Sequence, residues 1–183
     1  MQSGFRRSSR GFSLAEMLVV VAIVGLLSLV SIPAFINFKN SNTFKSSLRV
    51  VVNDLRFARQ YAITNTVRVR VELDPPGSQT AKTYKFFFSR DNGTTWNDLS
   101  VPGGTGATRN VKSLPSSVWI DSAPNIPLTG TKPEIVYSPN GTVALSGTPA
   151  SIVLGALWKK MAYNRYTIEL SPAGQLTSTG SHT

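Results

Sequence analysis

Between Met17 and Ile36 the chain runs for twenty residues without a charged side chain. As an α-helix rising about 1.5 Å per residue, that run is roughly 30 Å long, the thickness of a bilayer's hydrocarbon core. A segment of this kind lies in lipid or against other apolar helices. The residues before it, Met1 to Gly11, carry Arg6, Arg7 and Arg10 and no acid. Positive charge ahead of an apolar span predicts a cytoplasmic N-terminus with the remainder exported. A cleaved secretory signal shares the basic start, but its apolar core is shorter, and a small-x-small cleavage site is missing after this run.

Glu16 sits at the mouth of the run. An ionised carboxylate at that depth is costly unless a cation pairs with it. A secretory signal has no use for one. Gly11-Phe12-Ser13-Leu14-Ala15-Glu16, followed by Met17-Leu18-Val19-Val20-Val21-Ala22-Ile23, closely resembles the N-terminus of type IV prepilins and pseudopilins. The resemblance implies that a prepilin peptidase cuts on the cytoplasmic side after Gly11 and methylates the new amine of Phe12. Glu16 then becomes the fifth residue of the mature chain. By the same resemblance it pairs with the N-terminal amine of a neighbouring subunit as the filament grows. Gly25 and Pro33 lie inside the span and weaken a helix there. They either kink it or, as at comparable positions in pilin-like filaments, unwind it locally.

Past Pro33 a helical pattern continues to about Asn65. Phe44, Leu48, Val51, Val52, Leu55, Ala58 and Ala62 recur every three or four residues and build one apolar stripe. Lys45, Arg49, Asn53, Arg56 and Gln60 fall on another face. The period then changes to two. Val67-Arg68-Val69-Arg70-Val71-Glu72-Leu73 alternates apolar and charged side chains, a half-buried strand. Tyr84 to Ser89 and Trp96 to Val101 read as a hairpin about Asp91-Asn92-Gly93. Val118 to Asp121, Glu134 to Tyr137, Thr142 to Leu145, Ser151 to Leu157 and Tyr166 to Leu170 read as further strands. The stretches around Gly103-Gly104-Thr105-Gly106 and from Asp121 to Pro133 read as loops.

The fold class expected is α+β: a long N-terminal helix, membrane-spanning in its first half, packed on antiparallel sheet in a pilin-like architecture. Four segments follow: a basic cytoplasmic leader (1–11), an apolar membrane or filament-core helix (12–36), the amphipathic second half of that helix (37–65) and a β-rich globular domain (66–183). Leu55-Arg56-Phe57-Ala58-Arg59-Gln60-Tyr61-Ala62-Ile63, with Asn65 and Val67-Arg68-Val69, resembles the helix-to-strand junction of the GspH/FimT group of minor pilins.

Catalysis has little to work with. The chain has no cysteine, and its one histidine is His182. That excludes disulfide frameworks, thiol nucleophiles, zinc fingers and multi-histidine metal sites. No cofactor is implied. Ser89-Arg90-Asp91-Asn92-Gly93-Thr94-Thr95-Trp96 matches the Asp-box pattern of sialidase propellers, a hairpin element remote from catalysis in those enzymes. Asp91 and Ser89 are expected to hold the turn, Gly93 to supply positive φ and Trp96 to anchor it. A calcium loop from Asp91, Asn92 and Asp98 would lack the carboxylate spacing of an EF-hand. Asn92-Gly93-Thr94 and Asn140-Gly141-Thr142 match the glycosylation pattern and are read as turns.

The net charge of +10 favours anionic partners. Without its three leader arginines the mature chain keeps sixteen basic against nine acidic side chains, a net +7. DNA-binding members of the resembled group gather basic residues near the C-terminal tail, whereas Ser171 to Thr183 here contains none. Lys159, Lys160 and Arg165, with Trp158, Tyr163 and Tyr166, form the best remaining anion or DNA surface, and otherwise a solvated face. Arg56 and Arg59 read as helix-surface or filament contacts.

The resemblance thus implies a structural minor pilin or pseudopilin, assembled into or priming assembly of a type IV pilus or type II secretion pseudopilus, and held in the bacterial inner membrane by a single pass with a periplasmic domain. Its partners would be the prepilin peptidase, other pilin subunits through the N-terminal helix, and the inner-membrane assembly platform. A DNA-uptake pilin and a major pilin are the alternatives. The Gly11→Ala variant is expected to accumulate full-length precursor on an immunoblot of membranes. Normal processing of that variant would move the cleavage site elsewhere.

Overall fold

The computed structural model describes residues 12–159 and 162–182; the side chains of 30, 33, 34, 37, 157–159, 162–164, 181 and 182 lie outside that description. Its contacts divide into two units, Met1–Lys39 and Asn40–Thr183. One helix, α1 (Leu14–Asn65), belongs to both. It is helical through Gly25 and Pro33, with no local unwinding. The side chain of Pro33 is outside the described residues.

The second half of α1 is amphipathic in the sense its sequence predicts. Phe44, Leu48, Val51, Val52, Leu55, Ala58 and Ala62 are all buried, while Lys45, Arg49, Asn53, Arg56 and Gln60 remain exposed. The helix ends in a Schellman turn: Val67 N–H donates to Ala62 O at 3.1 Å and Thr66 N–H to Ile63 O at 3.4 Å. Thr66 takes φ +52°, a left-handed conformation costing a non-glycine residue about 1 kcal/mol. That turn delivers the chain directly into the first strand.

Among the described residues ten strands follow: β1 (Arg68–Leu73), β2 (Thr83–Ser89), β3 (Asn97–Asp98), β4 (Val111–Ser113), β5 (Val118–Ser122), β6 (Leu128–Thr129), β7 (Lys132–Tyr137), β8 (Ala150–Lys159), β9 (Ala162–Leu170) and β10 (Leu176–His182). They make two antiparallel sheets. One has the order β3-β2-β1-β7-β6, with β4 also pairing β2; the other has the order β10-β9-β8-β5. In β1, Val69, Val71 and Leu73 point into the core, while Arg68, Arg70 and Glu72 face outward. The inward residues of both sheets join the α1 stripe in one apolar cluster, with Tyr137, Phe44 and Phe86 its largest fully buried members. The class is therefore α+β, a helix packed on antiparallel sheets.

Several expected strands differ in extent. The Trp96–Val101 strand shrinks to Asn97–Asp98, although Leu99 N–H still reaches Phe86 O at 3.0 Å. The Thr142–Leu145 strand is absent. Only a bridge between Tyr137 and Val143 remains, because the backbone past the turn bonds elsewhere, Val143 N–H to Pro172 O at 2.9 Å and Ser146 N–H to Asn125 O at 3.1 Å. The supposed loop from Asp121 to Pro133 contains β6, and the tail contains β10.

A side chain from α1 ties two turns together. Arg59 donates from Nε to Gly141 O at 3.1 Å and from Nη2 to Ala173 O at 3.0 Å. Gly141 (φ +79°) and Gly174 (φ +71°) both need positive φ, and both lie against the guanidinium. A Cβ on Gly141 would come within 2.8 Å of Ile63 and 3.2 Å of Arg59 Nε. One on Gly174 would collide with the Gly141 carbonyl oxygen. Only glycine fits either place. The assignment of Arg59 to a surface or filament contact is thus corrected: it is an internal clamp. Arg59→Ala is expected to lower stability by about 2 kcal/mol, since two carbonyls lose charged donors. Urea unfolding of the chain in detergent micelles measures this. Arg59→Lys should recover little, because an ammonium lacks the planar fork that spans both acceptors.

Candidate functional site

The N-terminal segment of α1 presents its side chains outward. Each large apolar residue described from Phe12 to Phe38 is at least half exposed, including Phe12 at 73% and Leu14 at 78%. Covering such a surface is worth on the order of tens of kcal/mol, so it does not remain bare in water. Among the described residues no helix is long and apolar enough to cross a membrane.

The polar groups in this segment are handled locally. Ser28 donates to Val24 O at 2.8 Å and Ser31 to Leu27 O at 2.9 Å, so both hydroxyls are satisfied within the preceding turn. At the helix start Ser13 acts as N-cap, its hydroxyl accepting from Glu16 N–H at 3.2 Å. Ser13 and Glu16 have the spacing of a capping box, a signal present in the sequence and missed there. Only the serine half forms, and the Glu16 carboxylate is without a partner among the described residues. The arrangement is a capped helix start carrying one free carboxylate at the head of an apolar sleeve. Gly25 lies within the sleeve, and a Cβ there would meet nothing within 4 Å, so the chain's own packing does not require glycine.

Of the remaining expected site residues, Phe12 precedes the first turn of α1, while Gly11 and Lys160 lie outside the described residues, as does the Lys159 side chain. Arg165 pairs through Nε with Asp121 at 2.9 Å, on a side chain 58% exposed. Among the described residues no group of His, Cys, Asp or Glu could hold a metal ion.

The Asp-box residues form the turn expected of them. Ser89 Oγ donates to Asp91 Oδ1 at 2.6 Å and accepts from Gly93 N–H at 2.8 Å. Thr95 N–H donates to Asp91 Oδ1 at 2.9 Å, and its hydroxyl also donates to Asp91. Trp96 anchors the hairpin through a cation: the Arg70 guanidinium is sandwiched between Trp96 at 4.6 Å and Phe87 at 4.8 Å. The Ser89 hydrogen bond, then those from Thr95, holds the Asp91 carboxyl well below the usual carboxylate range. Asp91 is therefore occupied by its own turn.

A capped apolar helix start with one free carboxylate, leading into a helix packed on two antiparallel sheets, defines a pilin-like subunit. Residues 6–32 match the prokaryotic N-terminal methylation motif. Residues 48–174 match the family described as type II transport protein GspH, and this covers well over half of the 183 residues. The chain belongs to the GspH family and is a GspH/FimT-type pseudopilin, a structural rather than enzymatic subunit. Comparison with curated proteins gives no match, and neither does comparison with solved structures.

The lowered Asp91 pKa makes the stability of the turn depend on pH. The turn's stabilisation is fully present above the unfolded carboxylate's pKa of about 4 and is lost only as pH falls through the lower folded value. The Thr95 amide resonance should hold its position as pH drops to about 3 and shift only in stronger acid. A midpoint near 4 would return Asp91 to ordinary behaviour.

Proposed function

We propose that the chain is a minor pseudopilin that primes or caps assembly of a type II secretion pseudopilus or type IV pilus. It is held in the inner membrane by residues 12–36, with the leader in the cytoplasm and the domain from residue 66 in the periplasm. The peptidase cuts after Gly11 and methylates Phe12. The assembly platform then moves the subunit from lipid into the filament, where the sleeve packs against other subunits' helices. Because both environments are apolar, the transfer needs no new solvent for the sleeve.

The observation that carries this reading is the unpartnered Glu16 carboxylate at a capped helix start, in a segment whose serines satisfy themselves. Cleavage at Gly11 creates the amine of Phe12, and in a filament the amine of one subunit meets Glu16 of the next. The charge is thereby neutralised between chains, and an incoming subunit is drawn to a fixed axial register. Gly25 and Pro33 supply weak points where the helix can give way on packing. A nucleic-acid role has less support, since Arg165 is held by Asp121.

Glu16→Ala tests the pairing. It should be cleaved and methylated normally in membranes. Its share of sheared filaments should fall by roughly ten-fold or more, because the neighbouring amine is then left unpaired at a depth where that costs a few kcal/mol. Mass spectrometry of the peptide beginning at methylated Phe12 reads both quantities. Undiminished incorporation would remove Glu16 from assembly.

A further inference from the structure

β10 is the outermost strand of its sheet, and among the described residues it pairs only with β9, in a register running from Leu176↔Leu170 to His182↔Asn164. One row of its backbone N–H and C=O groups therefore faces away from the sheet. Long free edges in native proteins are usually blunted by lysine, proline or a bulge. The sequence of β10, Leu-Thr-Ser-Thr-Gly-Ser-His, has neither residue, and its pairing with β9 has no register shift.

The strand runs back along the second half of α1, and a cleft follows it. A recess of about 450 Å³ lies between Arg56, Gln60 and Ile63 on the helix and residues 174–177. A second, of about 270 Å³, lies between Leu48, Arg49 and Val52 and Ser178. Arg56 lines both. The helix from Leu48 to Ile63 rises about 22 Å. A seven-residue strand spans about 23 Å, so the helix side of the cleft is one strand long, with residues 174–178 lining its other side.

Its charge selects among strands. Arg49 and Arg56 are exposed, and neither pairs with a carboxylate among the described residues. They stand two helical turns apart on one face, about 10.5 Å along the axis. Carboxylates two or four residues apart on one face of an extended chain, about 7 and 13 Å, bracket that separation.

A second copy of this chain supplies no strand with two unpartnered side-chain carboxylates. Each carboxylate side chain beyond Glu16 has a partner in its own fold: Asp54 with Tyr84 and Lys112, Glu72 with Lys132, Asp74 with the backbone of Thr83, and Asp91 with Ser89. Asp98 binds Asn110, Asp121 binds Arg165, Glu134 binds Arg70, and Glu169 accepts from Thr177. We propose that the cleft between β10 and α1 receives, by strand addition to the free edge of β10, an extended acidic segment of a different protein.

The test uses the full chain in detergent micelles and a heptapeptide alternating Glu and Val. Two controls accompany it: a Lys–Val counterpart, and the Glu–Val peptide with alternate amides N-methylated. The Glu–Val peptide should bind and slow hydrogen exchange at the β10 amides that face away from β9. N-methylation on the pairing edge should weaken binding about ten-fold or more, and so should the double change Arg49→Glu, Arg56→Glu. The double variant's own exchange pattern without peptide should match the wild type, which separates lost binding from lost fold. Equal binding by the N-methylated peptide would reduce the cleft to a non-specific basic surface and overturn strand addition. Equal binding by the Lys–Val peptide would overturn the acidic partner. Absence of protection at β10 would overturn the site.

Discussion

One face of the second half of α1 cannot stay in water, and the globular domain is built around that constraint. Seven side chains from Phe44 to Ala62 are buried in the apolar cluster shared with both sheets. The Schellman turn at Thr66 fixes where the helix hands over to β1, and β1 in turn pairs with both β2 and β7. Among the described residues the first half of the same helix has no such cover. A single continuous element thus meets two demands, one of them answered by its own fold.

The distribution of charge follows from the same economy of groups. Eight carboxylates hold the domain together from within, through turns, cross-strand pairs and a helix-to-sheet bond. The Tyr84 phenol shows how tightly one of these sits: burial, then its hydrogen bond to Asp54, pushes its pKa far above the ordinary tyrosine value. The basic residues outnumber these acids, so those left over define the outer surface.

Legibility in the sequence tracked periodicity. The α1 stripe and the alternation of β1 were plain because one face of each is buried. β10 was not, since past Leu176 its described side chains, 177 to 180, are all exposed and leave no apolar alternation, and its Ser, Thr and Gly residues read as a tail. The two-residue β3 and β6 carry too few side chains for any pattern. At the candidate site, Glu16 stood out as a charge in the wrong solvent, whereas the cap at Ser13 was overlooked beside it. Arg59 was misread because its acceptors lie 82 and 114 residues away, and a basic residue on a helix surface gives no hint of distant carbonyls.

That clamp also limits how the family's sequences can drift. Arg59 fits only where Gly141 and Gly174 leave room, and those two turns lie close to each other through the Gly141 carbonyl. A side chain at either glycine would strain its turn and displace the guanidinium, while loss of the guanidinium would leave two carbonyls without their donor. The three positions are coupled in one direction: the glycines are held by their positive φ and by the Gly141 carbonyl, and Arg59 depends on the room they leave. Arg59, Gly141 and Gly174 should therefore be inherited as a block across relatives that keep this junction, even where the surrounding loops diverge freely.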